Sequence, residues 1–106
     1  MIERTPTLRS ALRLVDVPDG ERTYVFGRRD DCDVVVENDE YVSPYHCAVW
    51  QTERGDVFVA DLGSTNGTRL RMQSAVTLSV ALGSPLPVHP GDALLIGRTR
   101  IPWTAR

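Results

Sequence analysis

Apolar and polar residues alternate with a period of two in short runs along most of the chain, which is the pattern of half-buried strands. Within Leu8–Val17, Leu12 and Leu14 flank Arg13, and Thr23–Phe26 forms a second run that stops at Gly27. Val34–Val36 is a third, short and uniformly apolar, and reads as a buried strand. Cys47–Thr52 and Val57–Ala60 alternate again. The connection between them, Glu53-Arg54-Gly55-Asp56, has hairpin length and contains a glycine, so these two runs are expected to pair. Thr68–Met72 follows Asn66-Gly67, a dipeptide suited to positive φ and a tight turn. Ala75–Leu82 alternates weakly, and Pro85, Pro87 and Pro90 are expected to end regular structure there. Beyond the turn at Pro90-Gly91-Asp92, Ala93–Gly97 and Thr99–Trp103 complete the strand material. Between the runs lie a turn at Pro18-Asp19-Gly20, polar loops at Asp30–Asp33 and Asp61–Asn66, and a long irregular stretch, Glu37–Tyr45. In so small a domain a stretch of that kind more often carries function than serves as a connection.

Composition strengthens the strand reading. Thirteen valines, three isoleucines and nine threonines favour pleated structure, and 8 glycines and 7 prolines are spaced so that no long amphipathic helix fits between them. A length of 106 residues suits one compact domain. The expected fold is therefore all-β: a twisted antiparallel β-sandwich of about ten to eleven short strands, with a ligand site in loops at one end. Residues 1–7 are expected to be a flexible N-terminal tail, 8–103 the domain, and 104–106 a C-terminal tail.

Charge narrows the chemistry. The net charge of −2 argues against a domain that grips nucleic acid through phosphate neutralisation. All 12 basic residues are arginine, which removes the lysine chemistries: a P-loop, a Schiff base, a kinase-type ATP lysine. Two cysteines, Cys32 and Cys47, with no secretory pattern over Met1–Arg13, fit a reduced cytoplasmic protein. No apolar run approaches the roughly 20 residues that span a bilayer, so no membrane role is expected. The all-arginine, valine-rich composition points to a GC-rich bacterial genome.

Three segments in loops at strand ends stand out: Gly27-Arg28, Ser43-Pro44-Tyr45-His46, and Asp61-Leu62-Gly63-Ser64-Thr65-Asn66-Gly67-Thr68. Together they offer one guanidinium, hydroxyl donors, a side-chain amide and a glycine-rich backbone, a set suited to holding a dianion without reacting with it. Arginine presents a planar fork to two phosphate oxygens, and the hydroxyls of Ser43 and Thr65 can complete the shell.

The order and spacing of G-R, S-x-x-H and D-L-x-S-x-N-G-T resemble the forkhead-associated (FHA) domain, over roughly Leu12 to Ile101. Asp33-Val34-Val35-Val36 and Pro90-Gly91-Asp92-Ala93-Leu94-Leu95-Ile96-Gly97 resemble further family segments. That family is a β-sandwich that binds phosphothreonine. The resemblance implies that Arg28 and Ser43 contact the phosphate, that Thr65 adds a donor, and that Asn66 holds the ligand's backbone. It gives Gly27 the task of freeing space for the approach, His46 that of bracing the Ser43 loop, and Gly67 that of permitting the turn before Thr68; Ser64 belongs to the same architecture. The chain departs from the family pattern at Pro44, where Arg or Asn often adds a contact, and Pro44 has neither a side-chain donor nor an N–H. Arg29 and Arg69 are the candidates to substitute, with Tyr41 and Arg69 as specificity positions in the loops Asp39–Val42 and Arg69–Gln73. A second departure is the length of the 72–90 segment.

The same residues admit competing readings. Ser43, His46 and Asp61 can be written as a hydrolase triad, but no G-x-S-x-G elbow is present. Cys32, Cys47, His46 and His89 lack zinc-ligand spacing. Trp50 and Trp103 read as packing residues rather than base-stacking platforms. Thr5-Pro6-Thr7 offers a tail threonine that a kinase could modify for capture by the same pocket. The expected function is a noncatalytic phosphothreonine-dependent interaction module, without cofactor or metal, that docks a partner phosphorylated by a serine/threonine kinase. The alternative is a phosphate-independent interaction domain using the 72–90 segment or a sheet face. The sequence assigns no oligomeric state.

Overall fold

The computed structural model describes residues 23–103. The expected strand over Leu8–Val17, the turn at Pro18-Asp19-Gly20, both tails and the Thr5-Pro6-Thr7 segment lie outside the described residues. Among the described residues there is no helix, and nine strands follow in order. They are β1 (Thr23–Gly27), β2 (Val34–Val35), β3 (Cys47–Gln51), β4 (Val57–Asp61), β5 (Thr68–Arg71), β6 (Thr77–Val80), β7 (Leu86–Val88), β8 (Ala93–Ile96) and β9 (Thr99–Pro102). A five-stranded sheet in the order β2-β1-β3-β4-β7 faces a four-stranded sheet in the order β6-β5-β8-β9.

The period-two pattern explains how the sheets meet. In β3, Cys47 and Val49 point into the sandwich beside Phe26 and Val59, where they meet Leu70, Val80, Leu94 and Ile96 of the other sheet. Their neighbours Ala48 and Trp50 point to the opposite face, and this face is not simply solvated. Val25, Ala48, Ala60 and Leu62 form a second apolar cluster there with Cys32 and Tyr45. Cys32 and Tyr45 come from the segments that follow β1 and precede β3, so the second cluster clamps two site loops onto the sheet.

The hairpin expected between Cys47–Thr52 and Val57–Ala60 forms, in a register running from Cys47↔Asp61 to Gln51↔Val57. Three details differ from the sequence reading, the first being that Val34 and Val35, expected in a buried strand, are exposed. The pairing of β1 with β2 is parallel, Phe26 opposite Val34 and Gly27 opposite Val35, so the sandwich is not wholly antiparallel. The prolines do not end regular structure before Pro90: Leu86–Val88 is strand β7, with Pro87 opposite Phe58. Proline is tolerated because β7 is an edge strand, where a missing N–H costs no inner ladder bond. The 72–90 segment thus contributes one strand to each sheet, β6 and β7, with turns between and around them. Its first part is the β5–β6 turn, closed by Met72 N–H donating to Val76 O at 2.7 Å, with Ala75 at φ 77°.

Candidate functional site

The loops after β1, before β3, after β4 and between β8 and β9 come together at one end of the sandwich and are tied to one another by hydrogen bonds. Arg28, next after β1, is exposed. Its backbone N–H donates to Ser43 O at 3.2 Å, and its Nε donates to Val42 O. Val42 is 1% exposed and packs in the main core, so the side chain of Arg28 is guyed to a fixed point. A guanidinium has five N–H donors; with Nε used, those on the two Nη atoms remain for an anion.

Ser43 is held from both sides. His46 Nδ1 accepts from the Ser43 N–H at 3.0 Å, and Ser43 Oγ accepts from the Thr65 N–H at 3.0 Å. A hydroxyl that accepts here still has its own O–H to donate. His46 is fully buried and reaches the Gly67 carbonyl through Nε2 at 2.8 Å. With Nδ1 accepting, Nε2 carries the proton, so one neutral imidazole ties the Ser43 loop to the 61–67 loop. Gly67 has φ +85° with open space around it, so glycine is needed at this turn for conformation and not for room.

The 61–67 loop is wound around one carboxylate. Asp61, read from sequence as the start of a loop, is the last residue of β4 and is 5% exposed. Its Oδ2 accepts from the N–H groups of Gly63 (2.9 Å) and Ser64 (3.0 Å), and its Oδ1 from the hydroxyls of Ser64 (2.5 Å) and Thr68 (2.7 Å). Ser64 is therefore turned inward as a structural group, while Thr65 and Asn66 stay exposed. Asn66 Nδ2 donates to Tyr41 O at 3.0 Å, leaving its carbonyl oxygen and a second N–H for a ligand.

Gly27 does something other than leave room for a ligand. A Cβ there would sit 2.1 Å from Pro44 O and 2.9 Å from Cys32 Sγ, so the space is filled by the Ser43-Pro44 loop itself. The Pro44 carbonyl accepts from Arg29 N–H (3.3 Å) and Cys32 Sγ–H (3.3 Å), so Pro44 serves the site through its backbone.

The arginines sort themselves differently from the sequence reading. Arg29 points away, 3.9 Å from Asp31 and over the Tyr45 ring at 5.7 Å, so it is not placed to replace the donor missing at Pro44. Arg69 lines a cavity with Tyr41, Asn66, Gly67 and Arg98. Arg98, in the β8–β9 turn, was missed. It lines that cavity and also the cleft holding Arg28, Asn38, Asp39, Glu40, Tyr41 and Thr99. Its guanidinium lies over the Tyr41 ring at 4.6 Å and donates from Nη2 to the Tyr41 hydroxyl at 3.2 Å. Only the strand pairing reveals this: Thr68 opposite Ile96 sets Arg98 beside the Asn66-Gly67 turn. Asp39 anchors the turn, accepting from Arg98 N–H (2.8 Å), Thr99 Oγ1 (2.6 Å) and Tyr41 N–H (3.1 Å). The Thr99 hydroxyl, ahead of the backbone donors, holds the Asp39 carboxyl below its usual range.

The hydrolase arrangement is not formed. Neither ring nitrogen of His46 bonds the Ser43 hydroxyl or Asp61, since Nδ1 takes a backbone N–H and Nε2 a backbone carbonyl. Cys32 and Cys47 are free and buried thiols, and burial pushes Cys32 up to about 11 and Cys47 higher still, so both are poor nucleophiles at neutral pH.

Burial lowers the pKa of His46 from the ordinary 6.5. The unfolded chain takes up the His46 proton near 6.5 and the folded one only at lower pH, so protons favour unfolding between those two values. Stability is thus full above about pH 6.5 and falls as the solution is acidified toward the folded-state pKa. Titration of the His46 ring signals by NMR, beside denaturation curves at pH 7 and 5, checks this. An apparent pKa at or above 6.5, or equal stability at both pH values, would contradict the neutral brace.

The comparisons with known proteins agree with this geometry. A model of the FHA domain matches residues 24–97, and no curated protein matches the chain in sequence. Among solved structures, the FHA domain of CT664 from Chlamydia trachomatis is 20% identical with a TM-score of 0.66, over 84% of this chain and 81% of that one. The N-terminal FHA domain of S. cerevisiae Rad53p, in complex with a phosphothreonine peptide, is 24% identical over 91% of this chain and 71% of that one, with a TM-score of 0.60. The FHA-2 domain of a Mycobacterium tuberculosis ABC transporter is 21% identical over 98% and 82%, again with a TM-score of 0.60. With a family model matching residues 24–97, which include the loops that carry Arg28, Ser43 and Asn66, the chain belongs to the FHA domain family.

Proposed function

We propose that this chain is a noncatalytic module that binds a phosphothreonine-containing segment of a partner protein. Arg28 and Ser43 hold the phosphate, Thr65 supplies a further donor, and Asn66 holds the ligand's backbone. The observation that carries the reading is the linkage of three separate loops into one donor surface: Arg28 to Ser43, Ser43 to Thr65, and Asn66 to Tyr41. Each side chain in it keeps an unused donor. Family membership supports the reading, as does the similarity to the Rad53p domain in complex with a phosphothreonine peptide. The partner would be a substrate of a serine/threonine kinase, met in the cytoplasm, with no cofactor, nucleic acid or membrane involved. Two free buried cysteines suit a reducing compartment, and among the described residues no helix is long and apolar enough to cross a membrane.

The phosphate-independent reading has less behind it, because the 72–90 segment places one strand in each sheet, β6 and β7, and the family match favours the phosphate site. Binding of phosphothreonine, phosphoserine and unphosphorylated forms of the same peptide library tests the proposal. Phosphothreonine peptides should be retained and unphosphorylated ones not. Phosphoserine should bind at least a few-fold more weakly, since one buried methyl contributes about 0.8 kcal/mol. Equal binding of phosphorylated and unphosphorylated forms would overturn it.

A further inference from the structure

Among the described residues four strands form the sheet edges, and three of them are blunted. β2 is two residues long, β7 carries Pro87, and β9 carries Arg100 and Pro102, devices that keep an edge from pairing with another chain. β6 has none of these. The run Val76-Thr77-Leu78-Ser79-Val80 holds no charge, proline or glycine, and Val76 and Leu78 are exposed, at 50% and 39%. Its backbone groups divide between two sides. Met72 N–H donates to the Val76 carbonyl, in line with the register that sets Leu78 opposite Leu70 and Val80 opposite Thr68. Antiparallel bonding alternates, so the N–H and C=O groups of Leu78 and Val80 turn to β5, and those of Thr77 and Ser79 turn to the open edge. β6 pairs with β5 alone, so these outward groups have no ladder partner among the described residues. The next outward carbonyl, of Ala81, accepts from Ser84 N–H at 3.0 Å, which closes the edge beyond Val80.

The run is also a palindrome in side-chain type about Leu78: Val76 matches Val80, and Thr77 matches Ser79. From this edge we infer that two copies of the chain join through β6, antiparallel, about a twofold axis at Leu78. Thr77 of each copy then exchanges both backbone bonds with Ser79 of the other, so every outward N–H and C=O is used. On one face of the joined sheet Leu78 meets Leu78 and Val76 meets Val80; on the other the hydroxyls of Thr77 and Ser79 lie side by side. A slip of one residue would set the apolar side chains on opposite faces, so this register is specified. A second copy is the occupant because the run matches itself, and without charge it meets no like-charge repulsion. The inference is independent of the proposed phosphate site but places it: Val80 lies opposite Thr68, next to the Asn66-Gly67 turn. The antiparallel pair therefore carries its two sites at opposite ends and can bridge two phosphorylated segments.

Sedimentation velocity of the full chain between about 1 µM and about 1 mM tests this. An interface of one short strand pair is weaker than the micromolar class, so monomer is expected at the low end and dimer at the high end. Leu78→Lys and Leu78→Glu should each stay monomeric throughout, because the axis sets each new charge against its own copy. An equimolar mixture of the two should dimerise again, a recovery that no general loss of folding imitates. Leu78→Cys is the milder second arm. It should give a disulfide-linked dimer on gentle oxidation, whereas Leu82→Cys, more exposed at 62% but beyond the paired run, should give little; the native Cys32 and Cys47 are buried. Wild type that is monomeric at every concentration, or that grows past two copies, overturns the inference. So does dimerisation untouched by either charged variant, a mixture of folded charged variants that stays monomeric, or cross-linking no faster at position 78 than at 82.

Discussion

Arg28→Ala is expected to weaken binding of a phosphothreonine peptide by about 1.5–3 kcal/mol, roughly ten- to 150-fold, while leaving the weak binding of the unphosphorylated peptide nearly unchanged. The size follows from what the guanidinium offers. Its Nε is committed to the Val42 carbonyl, so the fork stands fixed, with its other donors free and little side-chain entropy left to lose on binding. Arg28→Lys is the informative companion. It keeps the charge but presents a single mobile ammonium in place of the fork, so it should recover part of the affinity and not all of it. Calorimetric titration of wild type and both variants with the phosphorylated and unphosphorylated peptides gives the comparison directly. If Arg28→Ala distinguished the two peptides as well as wild type does, the phosphate would have to be held elsewhere, and the donor surface at Ser43 and Thr65 would lose its central member.

The sheets and most of the loops were legible in the sequence because they rest on local signals. Alternation placed β1, β3, β4, β5, β8 and β9 close to where they lie, and Asn66-Gly67 marked its turn. The errors came where the decisive interaction is non-local. Pro87 looked like a breaker because nothing in its neighbourhood shows that Leu86–Val88 is an edge. The parallel partnership of β1 with β2 is likewise invisible in a short apolar run. Arg98 was missed for a related reason: it lies far along the chain from Asn66, and only the β5–β8 register brings them together. Sequence puts Asp61 at the start of a polar loop without saying what its carboxylate does. An aspartate before a polar loop can be read as an acid or as an anchor, and its four accepted hydrogen bonds make it an anchor. Gly27 shows the same limit, since a glycine after a strand says that space or conformation matters without saying what fills the space.

Gly27→Ala is expected to be the most damaging single-methyl change in the site, costing about 3 kcal/mol or more of folding stability. The added Cβ would lie 2.1 Å from Pro44 O, 2.8 Å from Pro44 C and 2.9 Å from Cys32 Sγ, and the first two are backbone. Neither side can give way cheaply. Gly27 is paired with Val35, and its carbonyl accepts from Val36 N–H at 2.8 Å. The Ser43-Pro44 loop is held by His46 at the Ser43 N–H and by Arg28 N–H at the Ser43 carbonyl. Relief therefore requires breaking part of one of these ties, and for a domain of ordinary stability, about 5–15 kcal/mol, the loss is a large fraction. Gly67→Ala supplies the control, because it has the opposite cause. Its Cβ would meet nothing within 4 Å, and only φ +85° opposes it, a left-handed conformation that costs an L-residue about 1–2 kcal/mol. Denaturant unfolding of both variants should thus rank Gly27→Ala well below Gly67→Ala. Whatever fraction of Gly27→Ala folds should also bind phosphopeptide poorly, because a displaced Pro44 carries Ser43 away from Arg28 and Thr65. Equal stability of the two variants would mean that the loop yields without loss, and that the close packing of Gly27 against Pro44 does not set the geometry of the phosphate site.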